Sequence, residues 1–398
     1  MRILHVIPYF NWSYGGPVKV VYDISNELAR RGHDVTIYTT NVGMGKKLYK
    51  SEKLSCKNIK VQYFNNLSNW VANNLKLHIS PSMRLAIKKE IRRFDVIHLH
   101  EFRGIPNLYI WRYATKYKIP YMIQAHGAAP AVIGNQSIGR TISKFVFDAI
   151  MGSKIIHDAS ALIALTKSEA KQYIQHGINE EKIHIIPNGI DLDDLNNIPE
   201  RGRFRKKYSI SNNEKVILFL GRIHKIKGLD LLVKAFFEVR KEIDNCTLVV
   251  IGPDDGYLGQ LQNHIKSLQI TKNVIITGPI YGRKKFEAYM DADVFVLPSR
   301  YEAFPVTVLE ACACGVPVIV TSECSVSDII DKKVGYAVNE NVDELRNAIV
   351  HILSNGDEVK RFAHEGRKLV NSFFNITTIC NRLESLYSEL SQKSIYQS

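Results

Sequence analysis

The chain lacks any apolar run near the roughly 18 residues that a bilayer-spanning helix needs, so no segment reads as transmembrane. Its first residues, Met1-Arg2-Ile3-Leu4-His5-Val6-Ile7-Pro8, form a short apolar stretch without a small-residue cleavage site. They are expected to form a first strand and not a signal peptide. Cysteine is scarce: six residues in 398, with no paired spacing that would suggest a disulfide or zinc framework. A reducing cytoplasm is the simplest compartment for such a chain. Zinc-finger spacing and an aromatic-glycine RNA-binding signature are both missing, so nucleic acid is not an expected partner. The dinucleotide fingerprint G-x-G-x-x-G is missing too, because Gly43-Met44-Gly45 runs on into Lys46-Lys47-Leu48 without a third glycine. Low-complexity tracts and short repeats are absent.

Acidic residues are also in deficit. Lysine and arginine number 53 against 39 aspartates and glutamates, a formal charge of +14. That excess favours anionic partners such as a nucleotide diphosphate, a lipid phosphate or an anionic membrane face. Two basic clusters stand out. One comprises Lys46, Lys47, Lys50, Lys53, Lys57 and Lys60. The other, Arg84, Lys88, Lys89, Arg92 and Arg93, falls in an expected helix over 82–93 with Met83, Leu85, Ile87 and Ile91. This helix is either a surface for an anionic bilayer or an ordinary solvated basic face.

What is present is an alternation of short apolar runs with helical stretches, the pattern of parallel α/β architecture. In the first half strands are expected over Arg2–Pro8, Val35–Thr39, Ile59–Tyr63, Val96–His100, Tyr121–Gln124, Ala161–Leu165 and Ile183–Ile186. Helices fit Pro17–Arg31, Ser82–Arg93, Asn107–Tyr117, Ile138–Ile150 and Ser168–His176. The alternation then begins afresh, with strands over Val216–Leu220, Leu248–Ile251, Val274–Thr277, Val294–Leu297 and Val316–Val320. Helices there fit Leu229–Glu242, Tyr257–Leu268, Lys284–Met290, Val306–Cys314, Val342–Ser354 and Glu358–Asn371. The expected fold is therefore two Rossmann-like, doubly wound domains, residues 1–186 and 187–376, facing each other across a ligand cleft. Residues 377–398 carry a further helix.

Three motifs carry chemistry. In Ser299-Arg300-Tyr301-Glu302-Ala303-Phe304-Pro305-Val306-Thr307-Val308-Leu309-Glu310, two carboxylates lie eight positions apart. Glu302 falls in the loop after a strand, Pro305 suits the first turn of a helix, and Glu310 lies about one and a half turns inside it. A sugar diphosphate along that helix start could meet a carboxylate at each end, with its phosphates on the positive N-terminus. The second motif, Gly221-Arg222-Ile223-His224-Lys225-Ile226-Lys227-Gly228, comes directly after a strand. Gly221 permits a tight turn, Arg222 offers a planar fork for phosphate oxygens, and Lys227 adds a point charge. The third is Gly15-Gly16-Pro17, whose amides can face a phosphate or sugar hydroxyl.

Histidines form a further group. His126-Gly127 stands at the end of the strand finishing in Gln124-Ala125. His98-Leu99-His100 places two imidazoles on one strand face, without an evident third metal ligand. The pairs Asp191/Asp193 and Asp291/Asp293 match a loose D-x-D pattern but are better explained as structural residues.

The spacing Glu302-x7-Glu310 with its flanks, and the Gly221–Gly228 segment, resemble the family-4 retaining glycosyltransferases of GT-B fold. The resemblance spans nearly the whole chain. It implies that Glu310 binds the ribose hydroxyls and that Glu302, Phe304 and Pro305 lie near the donor hexose. Gly221, Arg222 and Lys227 would hold the diphosphate, with Gly16 also on the donor side. Gly15 would face the acceptor, and His126 would be the active-site histidine. Arg103, by its place just beyond His98-Leu99-His100 and not by the resemblance, is either a contact for an anionic acceptor such as a lipid diphosphate or a surface residue. It also implies a last helix that returns to the first domain, a leaving phosphate that assists acceptor deprotonation, and no metal or other cofactor. The chain departs from the family's E-G-F-G form at Ala303 and Pro305, and has Ile226 where an acid often precedes the lysine. The expected activity is metal-independent, retaining transfer of a hexose from a nucleotide-diphosphate sugar to a glycan or lipid-linked acceptor, in cell-surface polysaccharide or glycoconjugate synthesis. It is expected in the cytoplasm, at the inner membrane face. The rival expectations are a hydrolysing nucleotide-sugar epimerase of the same architecture and a non-catalytic binder of sugar nucleotides or anionic surfaces.

Overall fold

The computed structural model describes residues 1–43, 54, 56, 58–75, 77–127, 151–195 and 200–396, with side chains of the last helix described to Lys393. Lys46, Lys47, Lys50, Lys53 and Lys57 and the helix expected over Ile138–Ile150 lie outside these residues. The chain divides into two compact units, Met1–Asn188 with Ile376–Ser398, and Gly189–Asn375.

In the first unit the short runs rich in valine and isoleucine become strands β1 (Arg2–Tyr9), β2 (Asp34–Thr40), β3 (Lys60–Phe64), β4 (Val96–His100), β5 (Tyr121–Gln124), β6 (Ala161–Ala164) and β7 (Ile183–Ile185). They pair in parallel in the order β3-β2-β1-β4-β5-β6-β7. Every residue of β4, β5 and β6 is buried, as expected of central strands covered on both faces. The strand order reverses at β1 and β4, so the loops after these two strands diverge at their carboxyl ends. The terminal helix, Ile376–Tyr396, buries Cys380, Leu383 and Tyr387 in this unit. Arg31 donates to Asn381 Oδ1 at 2.7 Å and Glu384 Oε2 at 2.8 Å, and His33 meets Glu384 at 2.7 Å.

The second unit contains β8 (Lys215–Leu220), β9 (Cys246–Ile251), β10 (Val274–Gly278), β11 (Val294–Leu297), β12 (Val318–Thr321) and β13 (Gly335–Val338). All pair in parallel, in the order β10-β9-β8-β11-β12-β13, with the reversal at β8 and β11. The fold is that of two Rossmann-like parallel-sheet domains.

Several boundaries differ from the sequence reading, each for a local reason. The strand expected from Val316 begins at Val318, because the Val316 amide closes the preceding helix on the Ala311 carbonyl at 2.9 Å and Pro317 has no N–H to pair. The helix expected to reach Arg93 ends at Glu90 and finishes as a 3₁₀ turn over Ile91–Arg93. Likewise, the helix expected from Glu358 runs over Gly356–Leu369 and widens to a π turn over Val370–Phe374. Edge strand β13 was not foreseen, because Gly335 breaks its short apolar run. A Cβ there would lie 1.7 Å from the Val318 carbonyl oxygen, so the pairing itself requires glycine. Helices Asn69–Asn74, Ser153–His157, Arg203–Lys207 and Ser327–Ile330 are too short to show a periodicity.

Candidate active site

In the second unit the two chemical motifs occupy the loops after β8 and β11, the adjacent strands where the order reverses. Gly221 bonds its amide to the Ile251 carbonyl at 2.9 Å, holding the end of β8 to β9. The chain turns through a 3₁₀ helix over Lys225–Lys227 to Gly228, whose φ of +65° is left-handed. A Cβ at Gly228 would lie 1.9 Å from the Pro298 carbonyl oxygen, so the two loops are packed backbone to backbone there. Arg300 fastens them further. Its amide donates to Ile226 O and its guanidinium to Lys225 O, both at 2.8 Å, and it forks onto Asp230 at 2.9 and 2.8 Å.

This packing brings Lys227 and Glu302 into an ion pair across 75 residues of sequence. Both side chains are mostly buried, 14% and 18% exposed. Arg222, more exposed, pairs with Asp255 at 2.6 Å in the loop after β9. Asp254 fixes that loop by accepting from the amides of Gly256, Tyr257 and Leu258. Two cations and two carboxylates thus converge on three neighbouring strand ends.

The helix Val306–Cys314 starts beside them. Pro305 caps it with extended backbone and makes no side-chain hydrogen bond to its first amides. The Phe304 ring is buried against Phe374, at 5.7 Å between centroids, and belongs to the core. Glu310 is buried, 2% exposed, and its two oxygens have separate partners. Lys285 donates to Oε1 at 2.5 Å, and the Tyr289 hydroxyl donates to Oε2 at 3.1 Å. Burial, and then the Glu310 charge, push the Tyr289 phenol well above its ordinary value, so it remains a donor. The aspartates at 291 and 293 bind the buried Arg205 and nearby backbone amides, which confirms their structural reading.

In the first unit Gly15, at φ +78°, ends a 3₁₀ turn, and Gly16 opens the helix Gly16–Arg30 without a side-chain cap. No described atom lies within 4 Å of either Cβ position, so the need for glycine at 15 comes from its backbone angle. After β4, Glu101 at φ +76° accepts from the Tyr9 hydroxyl, and the Arg103 guanidinium lies 5.1 Å from the Phe102 ring. After β5, His126 itself is left-handed at φ +51°, an unfavourable angle for a bulky side chain. The Glu169 carboxylate supports this turn by accepting from Gly127 N at 3.2 Å and Leu165 N at 2.7 Å. The third imidazole missing from the sequence reading of His98 and His100 is His5, and the ligand atoms of all three lie within 4.8 Å of one another.

The sequence reading thus missed Asp255, Lys285, Tyr289, Glu101 and His5. Asp255 had a weak signal in the turn-like Asp254-Asp255-Gly256 after a strand. Lys285 and Tyr289 had none, since they reach Glu310 only through the packing of two helices.

Each of the two units is a doubly wound parallel sheet, and the second carries a cationic, glycine-bearing loop beside a helix start. The profile of "Glycosyl transferases group 1" matches residues 200–369, and that of "Glycosyltransferase Family 4" matches residues 14–194. The chain belongs to this glycosyltransferase family. It is 28% identical over 346 residues to the alpha-monoglucosyldiacylglycerol synthase of Streptococcus pneumoniae, covering 85% of this chain and 75% of that one. It is 26% identical over 318 residues to the D-inositol 3-phosphate glycosyltransferase of Xylanimonas cellulosilytica, covering 77% and 75%. Among solved structures, HepE from Anabaena, in complex with UDP and glucose, shares the fold with a TM-score of 0.76 over 98% of this chain and 100% of that chain, at 18% identity.

Proposed function

We propose that this glycosyltransferase moves a hexose, with retention at the anomeric carbon and without a metal, from a nucleotide-diphosphate sugar to a glycan or lipid-linked acceptor. The observation that carries the reading is the ion pair of Lys227 with Glu302, which makes one polar site of two motifs far apart in sequence. Arg222 and Lys227 supply two positive charges for a donor diphosphate. In the free protein Asp255 and Glu302 hold these charges, and the phosphates would take their place. Glu302 would then accept from a hexose hydroxyl, close to the leaving phosphate. Stabilising that phosphate and positioning the acceptor carry the chemistry. In this reading Gly15, Gly16 and Arg103 serve the acceptor and the phosphates, and His126 hydrogen-bonds the transferring hexose.

The lipid side of the proposal has its own support. Leu67 is 73% exposed, Trp70 67%, Leu75 56% and Leu85 58%, all in the stretch that also exposes Arg84, Lys88, Lys89, Arg92 and Arg93. Apolar side chains among cations suit an anionic bilayer surface. No described helix is long and apolar enough to cross a membrane. The test is a panel of UDP, GDP and ADP sugars with extracted lipids in anionic vesicles, in EDTA. One donor is expected to be consumed with transfer to lipid or glycan, and the protein is expected to sediment with the vesicles. Failure of every donor, or transfer that needs added metal, would overturn the corresponding part.

Glu310 is the proposed ribose partner, because a carboxylate accepts more hydrogen bonds than the two it already receives. Glu310→Ala is expected to weaken binding of the nucleotide diphosphate, whichever of UDP, GDP and ADP the protein takes, at least about tenfold, roughly 1.4 kcal/mol. Glu310→Gln, which keeps the shape beside Lys285 and Tyr289, should be the milder variant. Unchanged nucleotide affinity by calorimetry in both would remove Glu310 from the site.

A further inference from the structure

Strand pairing in the first unit assembles a row of imidazoles. The parallel register sets His5 on β1 beside His98 on β4. His100 lies two residues on, on the same face as His98, and pairs with Gln124 on β5, two residues before His126. The three strand histidines are fully buried. His5 Nδ1 and His100 Nε2 are 2.9 Å apart, and His100 Nδ1 and His126 Nε2 are 3.1 Å apart. His98 stands outside this line, with its Nδ1 2.7 Å from the Tyr387 hydroxyl.

The arrangement suits a hydrogen-bonded chain better than a metal centre. His5 Nδ1 and His100 Nε2 are spent on each other. The rings of His98 and His100 stack at 4.1 Å and 28°, so their in-plane lone pairs run side by side instead of converging on one ion. Burial lowers the pKa of His5 and His126 to about 3, and holds His98 and His100 well below their usual value. The rings are therefore neutral near pH 7, with one proton each.

We propose that His100 is a positioning residue, and that the chain His5–His100–His126 fixes His126 as the Nδ1–H tautomer. Each neutral ring donates from one nitrogen and accepts at the other, so one proton placement dictates the rest. Two placements exist. If protons pointed towards His5, its Nε2 would carry an N–H, and that atom is buried with no hydrogen-bond partner among the described residues. If they point towards His126, His5 Nε2 is left with a bare lone pair. An orphaned buried donor is the rarer and costlier state. The second placement therefore holds: His5 Nδ1–H donates to His100 Nε2, His100 Nδ1–H donates to His126 Nε2, and His126 keeps its proton on Nδ1. Its left-handed backbone and the Glu169 support beneath Gly127 hold the ring in place. The proposal rests on the reading of His126 as the histidine that meets the hexose. It adds that His126 offers that sugar a fixed N–H donor and no lone pair.

The test reads the tautomer directly. In ¹⁵N-histidine-labelled protein, long-range ¹H–¹⁵N correlations assigned with the His126→Ala variant should show His126 protonated at Nδ1 alone. His100→Phe keeps an aromatic ring but no donor or acceptor, and His126 should become a mixture of tautomers. His98→Phe, outside the chain, should leave His126 as it was. Turnover of UDP-glucose by His100→Phe should fall in kcat on the order of tenfold to a hundredfold, with little change in KM, since a histidine in the wrong tautomer binds but does not act. His100→Gln, whose amide can donate to His126, should restore part of it. An Nε2–H tautomer in the wild-type protein, or an unchanged single tautomer in His100→Phe, overturns the proposal. Full transfer by His126→Ala would instead overturn the reading on which it rests.

Discussion

Replacing Arg222 and Lys227 together by alanine is expected to abolish sugar transfer while the fold survives. Each removes a charge proposed to stabilise the leaving diphosphate, and losing one such contact typically costs about 10²–10³ in kcat. The pair should therefore cost at least roughly 10³-fold. The partners make the effect larger. With the cations gone, Asp255 and Glu302 remain beside the phosphate position as uncompensated carboxylates and repel the donor. Stability should change little through Arg222, whose side chain is 40% exposed. It should fall somewhat through Lys227, whose loss leaves Glu302 mostly buried and unpaired. Adding Glu302→Gln to the double variant checks the stability part alone: with the unpaired buried charge removed, the melting temperature should recover. Product formation from a donor sugar, with thermal melting alongside, makes the measurement. Transfer within tenfold of the wild type in the double variant would remove both residues from the site.

The loops that carry this chemistry were legible in the sequence because the strands before them are short, apolar and largely buried. Val294–Leu297 and Lys215–Leu220 announce where they end, and the loop residues beyond each must lie at the carboxyl edge of a parallel sheet. What was not legible is what sheet order decides. Arg222 meets Asp255 because β9 lies beside β8. Lys285 reaches Glu310 because the helix Lys284–Asp291 packs on the helix Val306–Cys314. The histidines show the same limit: His5, His100 and His126 can all be read from the sequence, yet only the registers of β1 on β4 and of β4 on β5 make a chain of them. Local pattern reports elements and their ends, whereas the partners of a charge depend on which ends become neighbours.

Gly228→Ala is expected to damage the second unit through geometry alone. Its φ of +65° already disfavours a side chain by about 1 kcal/mol or more. The added Cβ would also sit 1.9 Å from the Pro298 carbonyl oxygen, and that neighbour is backbone, with no rotamer to turn away. Relief requires the loop after β8 to move from the loop after β11. The Lys227–Glu302 pair and the Arg300 bonds to Lys225 and Ile226 span that same junction, so they loosen together. The expected result is a melting temperature lower by several degrees, as a loss of about 2–3 kcal/mol would give in a domain of this size. Binding of whichever nucleotide diphosphate the protein takes from UDP, GDP and ADP should weaken in parallel. Gly256→Ala provides the control, because glycine there also has a positive φ, +88°, but no described atom lies within 4 Å of its Cβ. If both variants lose the same stability and keep the same nucleotide affinity, the close approach at Pro298 has no part in holding the donor loops. If only Gly228→Ala loses both, the contact between the two loops is what keeps Lys227 beside Glu302.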